Sequence, residues 1–307
     1  MKRDFLSIHD WSSDELFQLL DDAKKIKKTP EKYSKSLRGI SLAMIFEKQS
    51  LRTHVTFDVG VAQLGAHAVY LTQADISLGK RESVYDTAKN LERWVQGVVV
   101  RTFAHATCVE LAKSMKKVPV VNALTDLEHP CQAVGDFLTI QEHLGTFKKK
   151  KLVFVGDGNN VCHSLMLMAG KVGMDFIATT PRGFAPDPKI FKLAATAAKK
   201  HGSQIDLNHL PQEAVKNADV IYTDVWTSMG QESEKEERLN AFKDFQVNKK
   251  LMSHAKKQAL FMHCLPAHRG EEVTDDVIDS SHSIVFDEAE NRLHSQKAIL
   301  LTLLNGK

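Results

Sequence analysis

Apolar residues along this chain alternate between short unbroken runs and stripes at helical spacing. The runs at 40–46, 68–71, 97–100 and 118–121 have the length of buried strands, and helical patterns at 83–95 and 105–115 lie between them. A second series of runs follows at 152–155, 176–178, 220–223, 260–264 and 284–286. Strands alternating with helices predict an α/β fold of parallel sheets covered on both faces. Ser12 followed by Glu15 predicts a capping box, ahead of Leu16, Leu19, Leu20, Ala23 and Ile26 on one helical stripe. The segment 289–304, with Ile299, Leu300, Leu303 and Leu304, predicts a closing helix. Gly145 and the lysines at 148–151 punctuate the middle of the chain, where the second series opens.

The length of 307 residues, at about 150 residues per domain, predicts two domains, one for each series of strands. Hydrophobic residues at 43% and charged residues at 26% exclude bulk disorder. Lys and Arg total 41 against 38 Asp and Glu, a net of +3, so no large basic face for nucleic acid is expected. The cysteines Cys108, Cys131, Cys162 and Cys264 form no CxxC pair, suggest no disulfide framework and are expected to be reduced. No apolar stretch has signal-peptide character or the roughly 18 residues of a membrane span. A soluble, cytoplasmic protein without membrane contact is the expectation.

Candidate chemistry gathers where strands end. Ser50, Leu51, Arg52 and Thr53 directly follow the first run. The next residues put Val55, Val59 and Ala62 on one stripe and Phe57, Val61 and Leu64 on another, which predicts a buried helix starting after Ser50. Free N–H groups and the helix dipole favour an anion there, gripped by Arg52 and the hydroxyls of Ser50 and Thr53. A plain N-cap beside a surface arginine gives the same local pattern. The run Gly156-Asp157-Gly158-Asn159-Asn160-Val161 looks like a dinucleotide fingerprint, but Val161 fills the third small position and no acid ends the next strand. A polar small molecule suits it better, with nicotinamide binding as the alternative.

Further polar groups stand at other strand ends: Arg101, Thr102 and His105; His129, Cys131 and Gln132; Asp224, Ser228, Met229 and Gly230; His263, Cys264 and Leu265. Ligands of open α/β sheets bind at the carboxyl ends of strands. Zinc binding by these His and Cys residues is an alternative, against which no pair shows structural zinc spacing. A thiol hydrolase built on Cys264 is another, though that cysteine does not open a helix. It is the joint occurrence of these groups that points to a site.

Phe46-Glu47-Lys48 and Ser50-Leu51-Arg52-Thr53 are followed by RTF at 101–103, HPCQ at 129–132, GDGNNV at 156–161, DVWTSMG at 224–230 and MHCLPAHRG at 262–270. Their order and spacing resemble the aspartate/ornithine carbamoyltransferase family over nearly the whole chain, and the last two motifs resemble its ornithine branch. The resemblance implies a carbamoyl-phosphate domain at 1–137, to which a C-terminal helix at 289–307 returns, and an ornithine domain at 138–288. It implies an active site in the cleft between them, completed by the Ser77 region of a neighbouring subunit in a homotrimer. By motif, Ser50, Leu51, Arg52 and Thr53 would bind the phosphate, and Arg101, His129 and Gln132 the carbamoyl part. Cys264 and Leu265 would also stand at the carbamoyl phosphate, and Arg292 would reach back towards it. Asn160, Asp224, Ser228 and Met229 would hold L-ornithine, with Arg101, His129 and Cys264 as the catalytic groups.

The implied reaction moves the carbamoyl group of carbamoyl phosphate to the δ-amine of L-ornithine, a step of arginine metabolism that needs no metal and no cofactor. Competing readings are a transferase for another amine such as putrescine or an acylated ornithine, a nicotinamide-dependent dehydrogenase, and a non-catalytic binding protein. Three residues depart from the family pattern. Leu51 stands where Thr is common, His54 where many relatives carry Arg, and Ser77 where many carry Gln. Each change removes a donor, a charge or reach, so weaker carbamoyl-phosphate binding is expected.

Overall fold

A computed structural model describes residues 2–227 and 232–304. The chain begins with α1 (Ser13–Lys28), β1 (Ser41–Phe46), α2 (Leu51–Gln63), β2 (His67–Thr72), α3 (Val84–Trp94) and β3 (Gly97–Arg101). It continues through α4 (His105–Ser114), β4 (Val120–Leu124), α5 (Pro130–Leu144), β5 (Lys151–Val155), α6 (Asn160–Val172) and β6 (Asp175–Thr179). The remainder holds α7 (Pro188–His201), β7 (Ile205–Asn208), β8 (Val220–Thr223), α8 (Lys235–Phe242), β9 (Leu260–His263) and α9 (Val285–Leu304). Two compact units result, one of residues 1–138 with 290–307 and one of residues 139–289. Among the described residues, no helix is long and apolar enough to cross a membrane.

The first unit holds a parallel sheet in the order β2-β1-β3-β4. Its central strands are buried almost throughout, as expected where helices cover both faces. The capping box predicted at Ser12 and Glu15 is present, and it turns the stripe Leu16, Leu19, Leu20, Ala23 and Ile26 inward. Helix α2 departs from its expectation on one side. Phe57, Val61 and Leu64 are buried, but Val55 and Val59 are 47% and 38% exposed. From Glu290 onward α9 belongs to this unit, where Lys297 Nζ donates to Gln63 Oε1 at 2.8 Å and Lys27 Nζ to Asn291 Oδ1 at 2.9 Å.

The second unit holds a parallel sheet in the order β7-β6-β5-β8-β9. Helix α6 is buried on nearly every side, which its run of Leu, Met, Ala and Gly permits. A Cβ on Gly170 would lie 2.5 Å from the carbonyl oxygen of Ala194, so glycine is what lets α6 and α7 approach. Two sequence expectations are corrected here. The run at 284–286 is not a strand: Val285 opens α9, and Asp287 and Glu288 in the first turn favour the helix through its dipole. Conversely, β7 pairs with β6 although no apolar run announced it. It is an edge strand with Asp206 and Leu207 exposed, so it lacks the unbroken apolar signature of a buried strand.

Candidate active site

In each sheet the strand order reverses at one place, and polar groups collect there at the carboxyl ends. The first sheet switches between β1 and β3, whose last residues Phe46 and Arg101 are register partners. The second switches between β5 and β8, where Val155 pairs with Thr223. Connections leave such a pair of strands in opposite directions and open a crevice between them. The segment with Ser50 and Arg52 follows β1, and Arg101 ends β3. The Gly156–Asn160 segment follows β5, and Asp224 follows β8.

At the first switch, Ser50 caps α2 in an extended conformation, with its Oγ accepting from the Thr53 N–H at 3.1 Å. Thr53 is buried, and its Oγ1 accepts from Arg292 Nη2 at 2.8 Å. Arg292 Nη1 donates to Gln132 Oε1 at 2.5 Å, and Gln132 Nε2 donates to Asp136 Oδ1 at 2.7 Å. Residues of α2, α5 and α9 are thereby joined in one buried chain. Arg101 and His129 are also buried. Burial holds the His129 ring well below its ordinary pKa, and the cations Arg292 and Arg101 push it the same way. The imidazole is therefore neutral at pH 7.

The departures from the family pattern have structural counterparts. Leu51 is 73% exposed at the first position of α2 and fills no core space. His54 stacks on Tyr70 with ring centroids 3.8 Å apart. Ser77 ends a one-turn helix at Gln73–Ile76 in a left-handed conformation, φ 42°, and its hydroxyl donates to the Gln73 carbonyl at 2.7 Å. Lys48 lies 4.5 Å from the Phe103 ring centroid, and burial together with Arg101 lowers its pKa.

At the second switch, Asp224 is held from several sides. Asn159 Nδ2 donates to its Oδ2 at 2.8 Å, while the Val225 N–H at 2.8 Å and the Cys264 thiol at 3.0 Å donate to Oδ1. Asn159 also caps α6, its Oδ1 accepting from Val161 N at 3.0 Å and Cys162 N at 3.1 Å. Asn160 is the partly exposed first residue of that helix. Burial raises the pKa of Asp157, opposed by its ion pair with Arg238 at 2.8 Å. A close approach of the chain's own backbone requires Gly158 in this loop. Its N–H donates to the Phe184 carbonyl at 2.9 Å, and a Cβ there would meet Pro186 N at 2.3 Å.

The structure thus gathers Ser50, Thr53, Gln132 and Arg292 at one strand switch and Asp224 and Cys264 at the other. Ser228 and Met229 lie outside the described residues. By sequence Asn159 and Asn160 are two amides suited to a polar small molecule; the structure gives Asn159 the cap of α6, for which an Asn one residue before a helical run carries a signal. Its second task, orienting Asp224, is a tertiary contact with no local signature. The ligand atoms of Asp224, His263 and Cys264 lie within 4.8 Å of one another. However, His263 Nδ1 accepts from Leu265 N at 2.9 Å and Nε2 contacts Glu272 Oε1 at 3.1 Å, so the imidazole is already engaged at both nitrogens. That makes the trio a poor zinc site.

Comparison with known proteins agrees with this arrangement. Residues 3–142 match the family described as aspartate/ornithine carbamoyltransferase, carbamoyl-P binding domain. Residues 148–303 match its Asp/Orn binding domain. An ornithine carbamoyltransferase of Pyrococcus horikoshii is 53% identical over 306 residues, covering 99% of this chain and 96% of that protein. An anabolic ornithine carbamoyltransferase of Pyrococcus furiosus is 52% identical, covering 99% of this chain and 97% of that one. The solved structure of ornithine carbamoyltransferase from Pyrococcus furiosus superposes with a TM-score of 0.97 at 51% identity, covering 100% of this chain and 98% of that chain. With both domains matched in order and relatives about half identical over nearly the whole chain, the chain belongs to the aspartate/ornithine carbamoyltransferase family.

Proposed function

We propose that this chain transfers the carbamoyl group of carbamoyl phosphate to the δ-amine of L-ornithine, giving L-citrulline and phosphate. The observation that carries the reading is the buried chain Thr53–Arg292–Gln132 at a helix N-terminus, with a neutral His129 close to Arg292. Residues 1–137 with 289–307 are the carbamoyl-phosphate domain, and residues 138–288 the ornithine domain. The compact division at 138/139 and 289/290 supports these limits.

Ser50, the Leu51 N–H, Arg52 and Thr53 receive the phosphate, with Arg292 behind Thr53. Arg101, His129 and Gln132 hold the carbamoyl oxygen and amide, joined by Cys264 and Leu265. Neutral His129 and the Arg101 guanidinium donate to the carbonyl oxygen as negative charge develops on it. Asn160, Asp224, Ser228 and Met229 hold the α-amino and α-carboxylate groups of ornithine. The neutral δ-amine attacks the carbamoyl carbon, the new C–N bond forms, and the C–O bond to phosphate breaks. The Cys264 thiol donates a hydrogen bond to Asp224 Oδ1 and keeps its own proton. The proton lost by the amine leaves with the phosphate. Charge stays balanced, and neither a metal nor a redox cofactor is required.

A homotrimer in which the Ser77 region of one subunit completes a neighbour's site accompanies this reading. The exposed Val55 and Val59 on α2 support a protein partner on that face. The location is cytoplasmic. Citrulline formation and phosphate release, measured with ornithine, putrescine and N-acetylornithine in parallel, test the function. Turnover with ornithine far above the other two is expected. Turnover confined to another amine, or none with any, would overturn the assignment.

A further inference from the structure

The segment from His263 to His268 is held by buried carboxylates that none of the assigned roles uses. Glu272 is fully buried, and its Oε1 receives two donors. One is the His263 ring through Nε2 at 3.1 Å, and the other is the His268 backbone N–H at 2.6 Å. A single oxygen therefore fixes both ends of a six-residue turn. Inside it, Leu265 takes the left-handed conformation with φ 58°, and its N–H donates to His263 Nδ1 at 2.9 Å. That bond requires an unprotonated Nδ1, which places the ring proton on Nε2 facing Glu272. The His263 backbone N–H donates to Glu288 Oε2 at 3.0 Å, and Glu288 Oε1 accepts from the Tyr222 hydroxyl at 3.0 Å. At the centre of the turn, Cys264 presents its thiol to Asp224 at 3.0 Å.

A leucine at positive φ is an unfavourable conformation that persists only where its surroundings dictate it. Here the dictating contact is the acceptor at His263 Nδ1, whose tautomer is set by Glu272. We propose that Glu272, acting through His263, is a positioning residue that fixes the tautomer and so holds Cys264 and Leu265 in their working orientation. The proposal rests on the reading of Cys264 and Leu265 as part of the carbamoyl-transfer site. The logic parallels that of a histidine oriented by a carboxylate on its far nitrogen, where removing the orienting group leaves the ring in the wrong tautomer.

The test uses two pairs of variants and two readouts. Glu272→Gln keeps an oxygen acceptor for both donors, whereas Glu272→Leu keeps none. His263→Asn keeps an acceptor within reach of the Leu265 N–H, in the manner of an Asx turn, whereas His263→Gln does not. The first readout is the rate of Cys264 alkylation by iodoacetamide without substrates. The other three cysteines are buried, so this rate reports on the turn. The second is kcat and KM for ornithine. Glu272→Leu and His263→Gln are expected to alkylate faster and to lose about 10²-fold in kcat, the scale of a small misplacement of reacting groups. Glu272→Gln and His263→Asn are expected to stay close to the parent in both. Equal behaviour within both pairs overturns the proposal. If Glu272→Leu does not fold, the His263 pair decides alone. A chain inactive with every amine but showing the alkylation pattern would overturn the proposed reaction and leave the positioning role of Glu272 standing.

Discussion

Arg292 Nη2 reaches Thr53 Oγ1 at 2.8 Å across 239 positions of sequence, and both side chains are buried. The guanidinium is planar and forked, so one Arg serves Thr53 and Gln132 at once while its charge stands behind the N-terminus of α2. The last helix therefore ties the first turn of α2 to α5 as well as packing against the unit.

Arg292→Lys tests this directly. An ammonium cannot span both partners, so one charged hydrogen bond is lost, worth about 1.5–3 kcal/mol. Affinity for a phosphonate analogue of carbamoyl phosphate is expected to fall roughly ten- to a hundredfold by calorimetric titration. Unchanged affinity would leave Arg292 with a purely structural role.

Leu51→Thr is expected to act in the opposite direction. The leucine side chain is largely in solvent at the first turn of α2, so its removal leaves no cavity. A hydroxyl there adds one neutral donor to the phosphate, about 0.5–1.5 kcal/mol. KM for carbamoyl phosphate should drop severalfold with little change in melting temperature. A raised KM would show that Leu51 serves a contact other than a forfeited hydrogen bond.

His129 makes a prediction about pH. Its folded-state pKa is depressed by burial, Arg292 and Arg101, while the unfolded chain titrates near the ordinary value of about 6.5. Below that value the unfolded state binds a proton that the folded state refuses. Stability from this residue is thus complete above about pH 6.5 and falls as the pH drops below it. Burial shifts His105 and His294 in the same direction, so the difference between parent and variant is the useful quantity. In His129→Asn, melting temperature should decline less steeply between roughly pH 6.5 and 4.5. Identical slopes would mean that the His129 ring is charged in the folded protein.

The legible parts of this molecule are those written locally. The Ser12 box, the Ser50 cap and the strand-length runs other than 284–286 each carry their cause within a few residues, and the structure forms them there. Burial of a stripe is less legible, because periodicity reports that Val55 and Val59 share a face and not what covers it. Edge strand β7 carries no unbroken apolar run, and the first turn of α9 reads as a strand by sequence because three apolar residues fit either element. The bonds from Arg292 to Thr53 and from Asn159 to Asp224 join residues that only the fold brings together. The resemblance pointed to Arg292, and nothing pointed to the second role of Asn159.

That second role can be separated from the first. Asn159 uses its oxygen to cap α6 and its amide nitrogen to hold Asp224. Serine caps a helix about as well as asparagine but has no amide to reach the carboxylate. Asn159→Ser should therefore keep the stability of the parent while freeing Asp224 Oδ2. Asn159→Ala removes both contacts and should also lose about 1 kcal/mol of stability. If Asp224 receives the α-ammonium of ornithine, a carboxylate that can turn will hold it less well, and KM for ornithine should rise in both variants. Putrescine carries the same ammonium and lacks only the α-carboxylate, so its kcat/KM should fall alongside that of ornithine. The decisive comparison is kcat/KM for ornithine in Asn159→Ser and Asp224→Asn beside their melting temperatures. A stable Asn159→Ser with unchanged kcat/KM would mean that Asp224 needs no help from Asn159, and that the asparagine is there for the helix alone.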